Sequence, residues 1–325
     1  MLSDRYKNDQ KPLLTLTKQQ QLQKERIQQH IDEKFYTFEE PPCLICNNPS
    51  VEILAEKDRY GLPCSTAICQ SCGLIQTTPR MNQSSYNHFY NDDHRNLYVG
   101  AQSPDLTYIN SRIKAAEKTT TYLAEHLSLS GIRILEIGCG IGALLYTLQK
   151  RGALVEGIDL SETYLEAGKN HFNLNLHTTD LFQLTPSTPY DLIIYSDVFE
   201  HLLDPAAHLQ QCKKLLAENG TLFIKVPGVK NIMRPYLNDF LRMLQNAHIT
   251  YFSADTLTNL LSQNQFSPLH CNEQIMSLWK PHSQAAPAIT NYFTQTIRFL
   301  KKKENQHLLR NVLSIAYNVK NKLIR

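Results

Sequence analysis

The side chains with the clearest chemical purpose are two pairs of thiols, Cys43-Leu44-Ile45-Cys46 and Cys69-Gln70-Ser71-Cys72. Two intervening residues place both thiolates of a pair on one side of a tight turn, and two such turns close a tetrahedron around zinc. Four protein ligands leave no open coordination position, so the expected role is structural. Gly73 directly after the second pair suits its turn. Cys64 is a fifth thiol in the same stretch, read either as an ordinary buried residue or as a replacement for one of the four. A redox pair is disfavoured, because neither pair opens a helix of a thioredoxin-like pattern. Cys139, Cys212 and Cys271 are scattered and read as small buried hydrophobes.

The second constellation runs from Ile134 to Gly142 as Ile-Leu-Glu-Ile-Gly-Cys-Gly-Ile-Gly. An apolar strand leads into three alternating glycines, and a helix follows at once. Such glycines permit a tight turn and close approach of a ligand to the backbone, beside the free N–H groups of the helix. About twenty residues on, a second strand ends at Asp159, where a carboxylate can accept both hydroxyls of a ribose. Gly138-x-Gly140-x-x-Ala143 also satisfies the dinucleotide fingerprint. Three details favour a different ligand. Glu136, two residues before the first glycine, can meet an amino group but sits poorly beside a pyrophosphate. Asp180 follows the third strand, and residues 190–201 give a fourth strand that ends in the acidic loop Asp197-Val198-Phe199-Glu200-His201.

In this order and spacing the set resembles the class I S-adenosylmethionine-dependent methyltransferases, over roughly residues 131–266. The resemblance implies that Gly138, Cys139, Gly140 and Gly142 surround the methionine and ribose of S-adenosylmethionine, with Glu136 near its amino group. It implies further that Asp159 takes the ribose hydroxyls, that Asp180 and Leu181 frame the adenine, and that Leu160, Ser196 and Asp197 complete the cofactor site. The stretch from Arg59 to Arg80 resembles the cysteine-rich head of bacterial methyltransferases of polysaccharide and sugar-modifying pathways, including the deoxysugar C-methyltransferases. His248-Ile249-Thr250-Tyr251-Phe252-Ser253 is similar to a segment of the same group, which extends the likeness to residues 41–266.

Methyl transfer from a sulfonium is an in-line displacement, so the nucleophile must be aimed and, for a hydroxyl or acidic carbon, deprotonated. His201, just past the fourth strand, is the candidate general base, with Glu200 as its neighbour or orienter. The plainer alternative is that both cap the next helix and shape the loop. The same loop resembles the acidic-x-x-Glu-His segment of ubiquinone-pathway O-methyltransferases, which implies a third possibility, a divalent cation held by Asp197, Glu200 and His201. His248 and Tyr251 are candidates for an acceptor pocket, or for plain packing. Tyr86, Tyr90 and Tyr98 are candidates for a lid.

The elements that must position these groups read as alternating strands and helices after residue 131. Strands are expected at 133–137, 154–158, 174–178, 192–196 and 222–226, and helices at 143–152, 162–171 and 206–216. A helix and final antiparallel strands follow residue 253. The fold class is α/β: a Rossmann-like, mostly parallel sheet with its last strand antiparallel, behind a small zinc-ribbon-like module and with helical termini. The expected division is a helical extension at 1–40, the zinc module at 41–80, and a connector and helical lid at 81–127. The methyltransferase domain spans 128–280, and a basic helical tail 281–325. In the extension, Leu22, Ile27, Ile31 and Phe35 recur at helical spacing.

From residue 291 to the last residue stand eight Lys or Arg against one acid, while the whole chain carries +3, so the preceding body is net acidic. An acidic body is atypical of nucleic-acid binders. The tail, with Leu308, Leu309, Val312, Leu313, Ile315, Ala316 and Val319 at helical spacing, offers a peripheral contact with an anionic surface or cover for its own domain. No apolar run of membrane-spanning length and no secretory leader is present, so a cytoplasmic protein is expected. The acceptor is expected to be a small molecule, a sugar, glycan or lipid-linked intermediate methylated on oxygen or carbon. Two competing readings are an RNA methyltransferase with a zinc recognition module and a non-catalytic zinc-ribbon interaction protein. Against the first stands the missing Asn/Asp-Pro-Pro-aromatic motif after strand four; against the second, the intact Glu136, glycines and Asp159.

Overall fold

The computed structural model describes residues 1–98, 104–233 and 235–323, with side chains through residue 310 apart from Arg95. The tail's apolar stripe from Val312 onward lies outside the described side chains. The chain forms two compact units. One comprises residues 1–93, 227–257 and 289–325, the other residues 94–226 and 258–288.

The second unit is built on a seven-stranded sheet. Its strands are β1 (Arg133–Ile137), β2 (Leu154–Asp159), β3 (Leu176–Thr178), β4 (Tyr190–Ser196), β5 (Leu216–Lys225), β6 (Phe266–His270) and β7 (Met276–Pro281). Their spatial order is β6-β7-β5-β4-β1-β2-β3. β1 is parallel to β2 and β4, β2 to β3, and β4 to β5. β7 is antiparallel to both β5 and β6, so it alone runs against the rest. The mostly parallel sheet with a reversed last strand is therefore the one expected from sequence.

Parallel strands are covered on both faces, and their sequences are continuous apolar runs for that reason. Ile134, Leu135, Leu192, Ile193, Ile194 and Tyr195 have no exposed surface. The helices that cover the sheet are α1 (Leu106–His126), α2 (Ala143–Gln149), α3 (Glu162–Phe172) and α4 (Pro205–Leu215). Asp105 caps α1 by accepting the Tyr108 N–H, and Asp204 caps α4 through the Ala207 N–H. Leu145, Leu148 and Leu165 from α2 and α3 join Ile134, Leu192, Ile194 and Phe223 in one core cluster. β3 begins two residues later than expected, and Leu174 instead packs against the turn before α2, where a Cβ on Gly142 would meet its side chain. Strand order reverses between β1 and β4, and in open parallel sheets the crevice at the carboxyl ends of such strands is where ligands bind.

The first unit holds a four-stranded antiparallel sheet of Val51–Lys57, Pro63–Cys69, Ile75–Thr77 and Thr250–Tyr251. A short ladder pairs Phe38–Glu39 with Arg80–Met81. The helix Lys18–Asp32 starts from a capping box of Thr17 and Gln20. It ends before Phe35, and of the expected stripe only Ile27 is fully buried, while Leu22 and Phe35 are exposed. A guanidinium joins distant parts of this unit. Arg5 reaches Asp239 Oδ1 at 2.5 Å and Glu304 Oε2 at 2.8 Å, both carboxylates being buried. Among the described residues no helix is long and apolar enough to cross a membrane.

Candidate functional site

The turn after β1 carries the cofactor motif. Gly138, Gly140 and Gly142 have φ of +69°, +55° and +74°, a region in which a Cβ is strained. Space restricts them differently. A Cβ on Gly138 would lie 2.6 Å from a methyl of Val198, whereas one on Gly140 would meet nothing within 4 Å. The turn is thus open at Gly140 and closed at its flanks. Gly168 in α3 serves the same turn, because a Cβ there would stand 2.2 Å from the Ile141 carbonyl oxygen.

Glu136 lies inside β1, 4% exposed, and its Oε2 has no hydrogen-bond partner among the described residues. Burial pushes its carboxyl up to about 8, opposed by the charges of Arg112 and Lys225. An unsatisfied buried carboxyl of this kind is costly, and proteins keep one where a ligand completes it. Asp159, at the end of β2, accepts the Gly140 N–H on Oδ2 at 2.9 Å and the Ser161 N–H on Oδ1 at 2.8 Å. The glycine turn and the second strand's carboxylate therefore hold each other in place. Leu160 is exposed beside it, and Leu181 is buried. Asp180 closes its own loop, Oδ1 accepting the N–H groups of Phe182 and Gln183 at 2.7 and 3.0 Å. Cys139 is buried in the turn, and desolvation raises its thiol.

After β4, Ser196 is followed by Asp197 at φ +60°, a left-handed conformation unusual for a residue with a side chain. Its Oδ2 meets Lys225 Nζ at 2.5 Å and its N–H donates to the Lys225 carbonyl at 2.8 Å. Glu200 is buried, and desolvation followed by the Asp197 charge raises its carboxyl well above the usual range. His201 Nε2 lies 3.9 Å from Glu200 Oε1, an ion-pair distance and longer than a hydrogen bond. One neighbour in this unit was not singled out by sequence. The buried imidazole of His94 lies 6.3 Å from that of His201 and stacks on the exposed Tyr98 at 5.5 Å. Only the His- and Tyr-rich run at 86–98 signalled it.

The other tyrosines and His248 fall in the first unit. Tyr86 is buried and its hydroxyl donates to the Ala247 carbonyl at 2.7 Å. Tyr251 is buried and bonded to the Gln245 backbone, and His248 pairs with the Gln245 amide. A cavity of about 460 Å³ borders β3, lined by Glu156, Lys169, His177 and Gln183 among others, and none of the sequence-predicted site residues lines it.

The four cysteines come together within the first unit, their Sγ atoms all within 4.8 Å of one another. Cys43 Sγ lies 3.4 Å from Cys72 Sγ, and Cys46 Sγ 3.5 Å from Cys69 Sγ. Bonds of about 2.3 Å in a tetrahedron require sulfurs about 3.8 Å apart, so the set has the size of a zinc site. The second knuckle closes with the Gly73 N–H donating to the Cys69 carbonyl at 2.9 Å, at a φ of +80°. The first closes through Asn47, also left-handed. The contact with Cys69 raises the Cys43 thiol, opposed by the contact with Cys72. A cation would relieve what the thiols impose on one another. Cys64 is buried beside Thr66, outside the cluster.

The family model for the methyltransferase domain matches residues 108–270, half of the chain. The ubiquinone biosynthesis O-methyltransferase of Coxiella burnetii (strain RSA 493 / Nine Mile phase I) is 34% identical over 108 residues, covering 31% of this chain and 46% of that protein. That of Neisseria meningitidis serogroup A is 35% identical over 112 residues, 31% and 47% of the two chains. The chain spans about half the length of the curated relatives it matches. Among solved structures, magnesium protoporphyrin IX methyltransferase from Synechocystis with bound SAH aligns at a TM-score of 0.44 and 19% identity, over 61% of this chain and 97% of that one. With the β1 turn, Glu136 and Asp159 inside the matched region, the chain belongs to the methyltransferase domain family.

Proposed function

We propose that the chain transfers a methyl group from S-adenosylmethionine to a small-molecule acceptor, and the observation that carries this is Glu136. Its buried, unpartnered carboxyl stands two residues before an open glycine turn. A cationic amino group is the complement it lacks. In this reading Gly138, Cys139, Gly140 and Gly142 cradle the methionine and ribose portions, and Asp159 accepts the ribose hydroxyls. Leu160 and Leu181 lie against the adenine, Asp180 meets its edge, and Ser196 and Asp197 border the pocket. When bound, the cofactor supplies an electrophilic methyl group on a sulfonium.

His201 is the proposed general base, taking the proton of an acceptor hydroxyl or acidic carbon as the new bond forms. Glu200 stands beside it as its orienter, its ionisation opposed by burial. The relatives' name favours oxygen as the methylated atom; a sugar, glycan or lipid-linked acceptor, read from the cysteine-rich head, belongs to the same proposal. Cys43, Cys46, Cys69 and Cys72 hold a structural zinc, with no open position for chemistry.

Calorimetry with S-adenosylmethionine should show micromolar binding that Asp159→Ala removes, and labelled cofactor should transfer its methyl group to a phenol or sugar hydroxyl in an acceptor screen. Binding of a nicotinamide dinucleotide in its place would overturn the assignment.

A further inference from the structure

In the cysteine-bearing unit but apart from the thiols, His30, His88 and Asp93 each bring one ligand atom to within 4.8 Å of the others. They come from three elements. His30 lies in the last turn of the helix Lys18–Asp32, His88 ends the helix Gln83–His88, and Asp93 belongs to the π-helical segment Phe89–His94. That segment explains how two of them meet. In an α-helix, residues five apart lie roughly 140° from each other around the axis. The wider i→i+5 turn brings them back towards one side, and such turns occur frequently at functional sites.

The donor chemistry divides in a way that suits a metal. Asp93 is fully buried, and its Oδ1 accepts from Gln23 Nε2 at 2.6 Å and faces Arg26 Nε at 3.3 Å. Oδ2 lies 3.2 Å from His30 Nδ1 and accepts the Tyr36 hydroxyl. Tyr36 can supply the proton of that contact, which lets His30 adopt the tautomer with its lone pair on Nδ1. His88 Nδ1 lies 3.1 Å from Asp92 Oδ2. A carboxylate on the outer nitrogen is what orients histidine ligands in metal sites, and it leaves Nε2 as the donor. The Phe35 ring packs against both imidazoles, at 4.7 and 4.8 Å.

We propose that His30, His88 and Asp93 form a second divalent-metal site, of the two-imidazole, one-carboxylate kind that takes zinc. Three protein ligands leave a place for water, so this site exchanges its ion more readily than the four thiolates do. Bound metal ties the helix Lys18–Asp32 to the segment that carries His88 and Asp93.

The test is a cobalt(II) titration of the full-length chain after chelation, read by absorbance and by metal content. Two equivalents are expected, only one of them producing sulfur-to-cobalt charge-transfer bands. Cys46→Ser should diminish those bands, whereas His88→Gln should keep the equivalent that shows them and remove the one that lacks them. Asp92→Asn, at a half-exposed position outside the ligand set, should weaken that equivalent by roughly 10–100-fold with the fold intact by circular dichroism. A single, wholly thiolate equivalent in the unaltered chain would overturn the proposal. So would a second equivalent that survives His30→Gln and His88→Gln at undiminished affinity.

Discussion

The thiol cluster and the glycine turn are both cradles at the ends of strands, yet they encode their ligands differently. Cys69 ends the strand Pro63–Cys69, and its pair closes on the turn into Ile75–Thr77. There the side chains themselves are the ligand set, so residue type and spacing carry the chemistry. The turn after β1 offers backbone and empty space, with one buried carboxyl below it. There the chemistry resides in conformation and desolvation. A cradle made of side chains should fail at once when one is lost; a cradle made of backbone should fail by degrees.

The largest effect is therefore expected at the cysteines. Structural zinc contributes roughly 10–16 kcal/mol in small zinc modules, comparable with a domain's whole net stability of about 5–15 kcal/mol. If the four thiols hold the proposed zinc, Cys72→Ser should lower the bound metal and open the region around residues 43–72 to limited proteolysis. If metal analysis and digestion patterns match the unaltered chain, the thiols are not a structural centre.

Next comes Gly168→Ala. In an exposed helix this change gains about 1 kcal/mol. Here the new methyl would meet the Ile141 carbonyl at 2.2 Å, and overpacking of that kind typically costs about 1–3 kcal/mol. The clash wins, so the melting temperature should fall by a few degrees and cofactor affinity with it. A stabilised variant would show that the α3–turn contact is slack.

Glu136→Gln sharpens the comparison through charge. Losing a charge-assisted hydrogen bond of about 1.5–3 kcal/mol should weaken S-adenosylmethionine binding by roughly 10–150-fold. The ligand-free carboxyl titrates at about 8, and the cationic amino group needs it ionised. Affinity in the unaltered chain should therefore rise with pH towards about 8 and fall above it as the ligand's own amino group loses its proton, at about 7.7–8.0. Proton release on binding is expected near neutrality, while the glutamine variant shows no such rise. The folding term has the opposite sense. The folded carboxyl is raised above its unfolded value, so its stabilising contribution is whole below about 4.5 and is lost as pH climbs through 8. Thermal melts at pH 6 and 8.5 would show the slope flattened in Glu136→Gln.

The smallest effect is expected at Leu160, whose side chain is 61% exposed. Leu160→Ala should leave stability within about 0.5 kcal/mol and reduce cofactor affinity several-fold. An unchanged affinity by calorimetry would remove Leu160 from the adenine site.

These contrasts explain what was legible in the sequence. The sheet was readable because strands buried on both faces, such as residues 190–196, are nearly continuous apolar runs. Its one reversed strand was readable from the helix and hairpin after residue 253. The thiol cluster was readable because its ligands are side chains at fixed spacing. Burial was not. Nothing in the local pattern shows that Glu136 lacks a partner, that Glu200 is buried or that Tyr86 packs inward. These properties depend on residues dozens of positions away, such as Arg112 and Lys225 around Glu136 and Ala247 beside Tyr86. His94 escaped notice because its neighbour His201 is distant in sequence and no motif joins them.

The interleaving of the two units bears on how the protein is made. The unit holding the thiols also contains residues 227–257 and 289–325, and Arg5 meets the buried carboxylates of Asp239 and Glu304. On the ribosome, Arg5 must therefore wait through the synthesis of the whole seven-stranded sheet before its second carboxylate is made. A fragment ending after residue 93 would emerge with four thiols ready for metal and most of its own core untranslated.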